Sequence, residues 1–251
     1  MPTSVGLIGA GTMGVGIAYV FAAAGCEVVV CEPNSSRIDR LRKVVAEQAE
    51  SGLARGKMDA AQASTIQNRV QTCSAVQELP AELDLLVESV PERLELKHEV
   101  LAEAELRSPR ILASNTSALS IVELSRGLSA PERFLGMHFF NPVWSFRLVE
   151  IIRGAESTEN TIAGARELVA QIGKESLLVR DSPGFATSRL DVSTALEAMR
   201  MLEEGVASAD DIDKGIVLAY RHPIGPLRLS DIVGLDVRLD IANHLCKVLA
   251  D

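Results

Sequence analysis

A chain of 251 residues accommodates one full domain and a smaller second one, and its 47% apolar and 24% charged residues describe a globular protein with a well-buried core, not a disordered one. The formal net charge of −9 lacks the basic surface needed to neutralise phosphates, so no nucleic-acid partner is expected, and an anionic substrate would require a local basic patch. The four cysteines, Cys26, Cys31, Cys73 and Cys246, show no CxxC spacing and no grouping with the four histidines, which argues against zinc or a disulfide framework and fits a reducing cytoplasm.

Val5 to Ile8 is a short apolar run that ends in glycines, Thr12 to Ala24 reads as an Ala-rich helix, and Glu27 to Cys31 is a second β-branched run. The apolar stretch from Met13 to Cys26 has no basic segment before it and is too short and glycine-broken to span a bilayer, so it reads as a buried helix and no membrane partner is expected. A long helix follows, with Ile38, Leu41, Val44 and Val45 inward, Arg37, Arg40, Arg42, Lys43 and Glu47 outward, and a continuation toward Leu53. Arg55 and Lys57 beyond it read as solvated cations. Further strands are predicted at Leu83 to Val90, Ile111 to Ser114, Phe134 to Phe140, Leu148 to Ile152 and Leu177 to Val179, with a helix over Leu94 to Leu106. Strands that alternate with helices predict an α/β fold with a doubly wound, mainly parallel sheet of the Rossmann type. After Pro183 the periodicity becomes helical throughout: Leu190, Ala195, Leu196, Met199 and Leu202, then Ala209 to Leu218, then Ile232 to Leu249. The expected division is therefore residues 1–181, a nucleotide-binding domain, and residues 182–251, a smaller all-α domain.

Gly9-Ala10-Gly11-Thr12-Met13-Gly14 follows the first strand and opens the first helix, the context in which GxGxxG marks a dinucleotide site. Gly9 allows the tight turn, Gly11 lets the backbone approach a pyrophosphate, and Gly14 lets helix and strand pack closely. Glu32 closes the second strand, roughly 20 residues after the motif, where a carboxylate accepts hydrogen bonds from the adenosine ribose. That favours NAD over NADP, since a 2′-phosphate would meet a like charge there. Arg37 lies one helical turn further on.

His138-Phe139-Phe140-Asn141-Pro142, followed by Leu148-Val149-Glu150, places an imidazole, an amide and a carboxylate on two neighbouring apolar segments. With these residues the chain resembles the L-3-hydroxyacyl-CoA dehydrogenase family, through Ser114-Asn115-Thr116-Ser117, Ser182-Pro183-Gly184-Phe185 and the glycine motif as well. The resemblance covers essentially the whole chain. It implies NAD-dependent interconversion of a 3-hydroxyacyl-CoA and its 3-oxo form, with His138 as general base or acid and Glu150 as its partner carboxylate. It further implies substrate or nicotinamide contacts at Ser117 and Asn141, and cofactor contacts at Glu92 and Lys97. Without the resemblance, Glu92 and Lys97 read as surface helix charges. Phe139 and Phe140 beside His138 favour an acyl-CoA over a free hydroxy acid.

Two features depart from the family pattern. Ser188 stands where familiar members carry asparagine, at a position the family uses for substrate, which puts chain-length preference and rate in question. The chain ends at Asp251, ahead of several helices usual in the family, so the α-domain, expected to form the homodimer, reads as shortened. Two rivals stay open: a related dehydrogenase of a free hydroxy acid such as gulonate or carnitine, and a catalytically weak NAD-binding protein.

Overall fold

Parallel strands covered on both faces need apolar side chains at nearly every position, and the burial of the central strands here follows that rule. The computed structural model describes residues 2–249 apart from the side chains of Val237 and His244; the expectation attached to the chain end at Asp251 lies outside the described residues. Two compact units are present, Met1–Asp181 and Ser182–Asp251.

The first unit holds one eight-stranded sheet: β1 (Ser4–Ile8), β2 (Glu27–Cys31), β3 (Val70–Cys73), β4 (Leu85–Glu88), β5 (Leu112–Ser114), β6 (Phe134–Phe139), β7 (Leu148–Arg153) and β8 (Glu175–Arg180). Their order is β3-β2-β1-β4-β5-β6-β7-β8. All neighbours are parallel except β6 and β7, which pair antiparallel with His138 opposite Glu150. Every residue of β4 and β6 is buried. The predicted strand over Leu83 to Val90 is shorter at both ends, because the ladder with β1 and β5 runs only from Leu85 to Glu88. β3 carries no apolar run: Val70-Gln71-Thr72-Cys73 is an edge strand, half-exposed and paired only with β2, so burial leaves no mark on its sequence.

The helices of this unit are α1 (Thr12–Ala23), α2 (Ser35–Ala54), α3 (Ala60–Asn68), α4 (Leu94–Glu105), α5 (Ile121–Leu124) and α6 (Glu159–Gln171). α1 is buried without a break from Gly14 to Ala22, as its nearly all-apolar composition requires. α2 is amphipathic, and the Asn34 side chain caps it by accepting the Ser36 and Arg37 N–H groups. α3 starts at a capping box of Asp59 and Gln62.

The second unit comprises α7 (Thr187–Glu203), α8 (Ala209–Tyr220), α9 (Pro226–Val233) and α10 (Leu235–Leu249). The single helix expected over Ile232 to Leu249 is broken at Gly234, whose φ of 101° lies outside the helical region and hands the chain from α9 to α10. Pro226 opens α9, and the Asp213 carboxylate of α8 caps it by accepting the Leu227 and Arg228 N–H groups, both at 2.8 Å. Val192, Ala242 and Leu245 form a small core with Leu196 and Ile241 against it. Buried Arg238 of α10 makes two hydrogen bonds to Asp191 of α7, at 2.8 and 3.1 Å. No helix among the described residues is long and apolar enough to cross a membrane.

Candidate active site

In an open parallel sheet a ligand lies beyond the carboxyl ends of the strands, where the strand order reverses. Here that point lies between β1 and β4. Gly9 turns with φ 104°, and a Cβ there would lie 2.7 Å from the Ser89 carbonyl oxygen. A Cβ on Gly14 would come within 2.0 Å of the Gly9 carbonyl oxygen, so the close approach of α1 to the end of β1 admits only glycine. Around Gly11 nothing lies within 4 Å of the added carbon. Gly11 is the N-cap of α1 and gives no side-chain cap, so the first N–H groups, on Thr12 and Met13 among others, face an opening that suits a pyrophosphate. Ala10 donates its N–H to Glu32 at 3.0 Å, and Glu32 also accepts from Asn34 at 3.1 Å. These bonds pin the carboxylate at the end of β2 and tie the glycine turn to it. Arg37 comes within 3.6 Å of the same carboxylate, so the one-turn separation seen in the sequence is closed in space.

At the ends of β4 and β5 lies a second charged group. Lys97 of α4 is completely buried, which corrects its reading as a surface charge. Its ammonium has an acceptor for each of its three protons: Glu88 Oε1 at 2.7 Å, Val90 O at 3.3 Å and Glu92 Oε2 at 3.3 Å. Glu88 is equally buried and also accepts from the Val90 N–H at 2.7 Å and the Ser114 hydroxyl at 2.6 Å. Glu92 takes the Ser117 and Ala118 N–H groups at 3.0 and 3.1 Å together with the Thr116 hydroxyl, and so fixes the loop that carries Ser117. Burial pushes the Glu92 carboxyl up, but Lys97, Thr116 and the two backbone donors outweigh it and hold the group below its ordinary 4.5. Glu92 thus stabilises the native state fully above that value, and the contribution is lost as pH falls through the lower folded value. Glu88 was missed in the sequence. The signal was an acid that directly closes the apolar run Leu85-Leu86-Val87, a strand-end position that demands a buried partner.

The third part is the β6–β7 pair. Residues directly opposite on an antiparallel ladder project to the same face, so the His138–Glu150 register brings the two side chains together. His138 Nδ1 lies 2.8 Å from Glu150 Oε2, and the two residues are 5% and 0% exposed. A carboxylate can only accept, so Nδ1 carries the proton of this bond. Phe140 packs its ring on the imidazole with centroids 4.5 Å apart. Phe139, expected beside His138 as well, instead points the other way into the main core, because successive strand residues alternate faces. Asn141 and Ser117 are both exposed, in the loops that leave β6 and β5. Ser188 lies in the first turn of α7, in the second unit, and is half-buried.

Comparisons with known proteins follow the same division. Residues 4–182 match the family described as 3-hydroxyacyl-CoA dehydrogenase, NAD binding domain, and residues 184–251 match the 3-hydroxyacyl-CoA dehydrogenase C-terminal domain. A 3-hydroxybutyryl-CoA dehydrogenase of Bradyrhizobium diazoefficiens is 39% identical over 98% of this chain and 85% of its own length. A probable 3-hydroxyacyl-CoA dehydrogenase of Caenorhabditis elegans is 35% identical over 93% and 80%. The crystal structure of the (S)-3-hydroxybutyryl-CoA dehydrogenase PaaH1 from Ralstonia eutropha superposes with a TM-score of 0.94 at 36% identity, covering 100% of this chain and 89% of that one.

Proposed function

The chain belongs to the 3-hydroxyacyl-CoA dehydrogenase family, and from that premise we propose that it is an NAD-dependent oxidoreductase which interconverts a short-chain L-3-hydroxyacyl-CoA and the 3-oxoacyl-CoA. The observation that carries the reading is the buried His138–Glu150 pair, 2.8 Å apart across the one antiparallel step of the sheet.

The glycine turn, Glu32 and Glu92 would hold NAD, with buried Lys97 acting through Glu92, with which it pairs at 3.3 Å; bound NAD would accept the hydride leaving C3 of the alcohol. His138 Nε2 takes the hydroxyl proton as that hydride departs. Glu150, bonded to Nδ1, fixes the tautomer and stabilises the imidazolium that forms, without itself reacting. In the reverse direction the protonated imidazole returns the proton to the carbonyl oxygen. Ser117 and Asn141 hold that oxygen where negative charge develops. Phe140, packed against His138 with the two rings tilted by 49°, limits water around the imidazole and gives the acyl chain an apolar wall.

With acetoacetyl-CoA as substrate, NADH absorbance is expected to fall in proportion to enzyme added. NADH binding without turnover of that or any longer 3-oxoacyl-CoA would leave only a nucleotide-binding protein. Turnover confined to free 3-oxo acids would move the substrate assignment to the hydroxy-acid dehydrogenases.

The helical unit is the dimerisation surface in this reading. It exposes Leu190, Leu218, Tyr220 and Ile232 at about 70% each, more apolar surface than a small helical unit leaves to water without a partner. Sedimentation equilibrium is expected to give a dimer, and Leu218→Lys with Ile232→Lys to shift it toward monomer; a monomeric parent chain at micromolar concentration overturns this part. The four cysteines, all unpaired, fit a cytoplasmic setting.

A further inference from the structure

Strand β5 stops too early to support the part of β6 that matters. Its last registered residue is Ser114, opposite Gly136, whereas β6 continues through Met137 and His138 to Phe139. On the β7 side this overhang is fully laddered. On the β5 side a side chain replaces the missing backbone: the Asn115 carbonyl oxygen accepts the Phe139 N–H at 3.0 Å. Asn115 is itself well anchored. Its own N–H donates to the Glu88 carbonyl at 2.8 Å, its amide nitrogen reaches the Ser89 hydroxyl at 3.3 Å, and Ser89 N–H in turn donates to the Ile8 carbonyl at 2.8 Å. The residue is 8% exposed, so water does not compete freely for these bonds.

We propose that Asn115 is a positioning residue for the reaction: its side chain acts as the missing continuation of β5 and locks the end of β6, so that the His138 imidazole keeps its alignment between Glu150 and substrate. The inference rests on His138 being the base. Its physical content is that the β6 overhang is a strand end held on one side by a ladder and on the other by the Asn115 amide. Without that amide, a buried N–H is left unsatisfied next to the catalytic residue and the strand end gains freedom to move. Misplacement of a general base by a fraction of an ångström lowers the rate of proton transfer while leaving cofactor contacts at the glycine turn and Glu32 untouched.

The test compares Asn115→Leu, of similar volume but without the acceptor, with Asn115→Asp, which keeps it. Asn115→Leu is expected to lower kcat about 10- to 100-fold, with KM for acetoacetyl-CoA and the Kd of NADH within about twofold of the parent; Asn115→Asp is expected to keep kcat within about threefold. An Asn115→Leu enzyme with nearly full kcat overturns the proposal. So does a parallel loss of kcat and NADH affinity, which would make Asn115 a cofactor or folding residue, and so does an Asn115→Asp enzyme as impaired as the leucine variant. If Asn115→Leu does not fold, Asn115→Ser, polar but too short to reach Phe139, takes its place with the same readings. His138→Gln, measured alongside, separates the premise from the inference: a fully active His138→Gln enzyme removes the base assignment, whereas an inactive one beside a fully active Asn115→Leu overturns Asn115 alone.

Discussion

His138→Gln is expected to lower kcat about a thousandfold, the middle of the range that a positioned general acid–base group supplies, and to leave the Kd of NADH nearly unchanged. A thousandfold is about 4 kcal/mol of transition-state stabilisation. Glutamine fills the space on β6 and can still bond Glu150, so the fold loses little, while the proton acceptor for the substrate hydroxyl is gone. Glu150→Gln tests the other half of the pair. An amide can accept as well as donate at that position, so the imidazole loses its enforced tautomer and the counter-charge for its protonated form; a loss of roughly a hundredfold or more in kcat is expected. Steady-state kinetics with acetoacetyl-CoA, with NADH binding followed by fluorescence, checks both. Retention of most activity by His138→Gln takes that residue out of the mechanism.

Lys97→Met should be the most destabilising single change at the nucleotide rim. It keeps the volume of the side chain but leaves Glu88, with no exposed surface, without its counter-ion and takes from Glu92 the cation 3.3 Å away. Breaking a buried pair by removing one partner costs about 3 to 5 kcal/mol, which for a chain of this size is a fall in Tm of roughly 6 to 20 °C. Glu88→Gln combined with Lys97→Met should recover much of that loss, because the neutral pair no longer strands a charge in the interior. Thermal denaturation of the two variants followed by circular dichroism measures the difference. A single variant as stable as the parent would show that the three charged groups are not coupled as their distances imply.

Much of the nucleotide half was legible from the sequence, for a local reason. Gly9, Gly11 and Gly14 act within one turn of chain, and the steric demands on them, the Gly9 carbonyl 2.0 Å from any Cβ on Gly14 above all, are met by residues close in sequence. The apolar runs of β1, β2, β4 and β6 are likewise local consequences of burial on both faces of a parallel sheet. The edge strand β3 left no such mark, and the break at Gly234 was hidden inside a helical periodicity that continues on both sides of it.

The histidine–carboxylate pair and the charged rim are another matter. His138 and Glu150 could be marked as an unusual imidazole and carboxylate on apolar segments, but their roles came from resemblance; the reversal of strand direction after β6, a property of the whole sheet, puts them face to face. The resemblance marked Lys97 as a cofactor contact, and without it the residue reads as a surface helix charge, because helical periodicity carries no information about which acids wait on the strand beneath; the packing of α4 on β4 buried it against Glu88. Asn115 lay in a quoted motif with no assigned task, since the need for its amide arises only where β5 ends short of β6. By itself, then, the sequence determined the glycine turn, the strand interiors and the kind of domain they build, because short-range sterics and burial act on neighbouring residues. Strand order, register and the length of each ladder decided which distant polar groups meet, because those depend on how non-adjacent segments pair across the sheet.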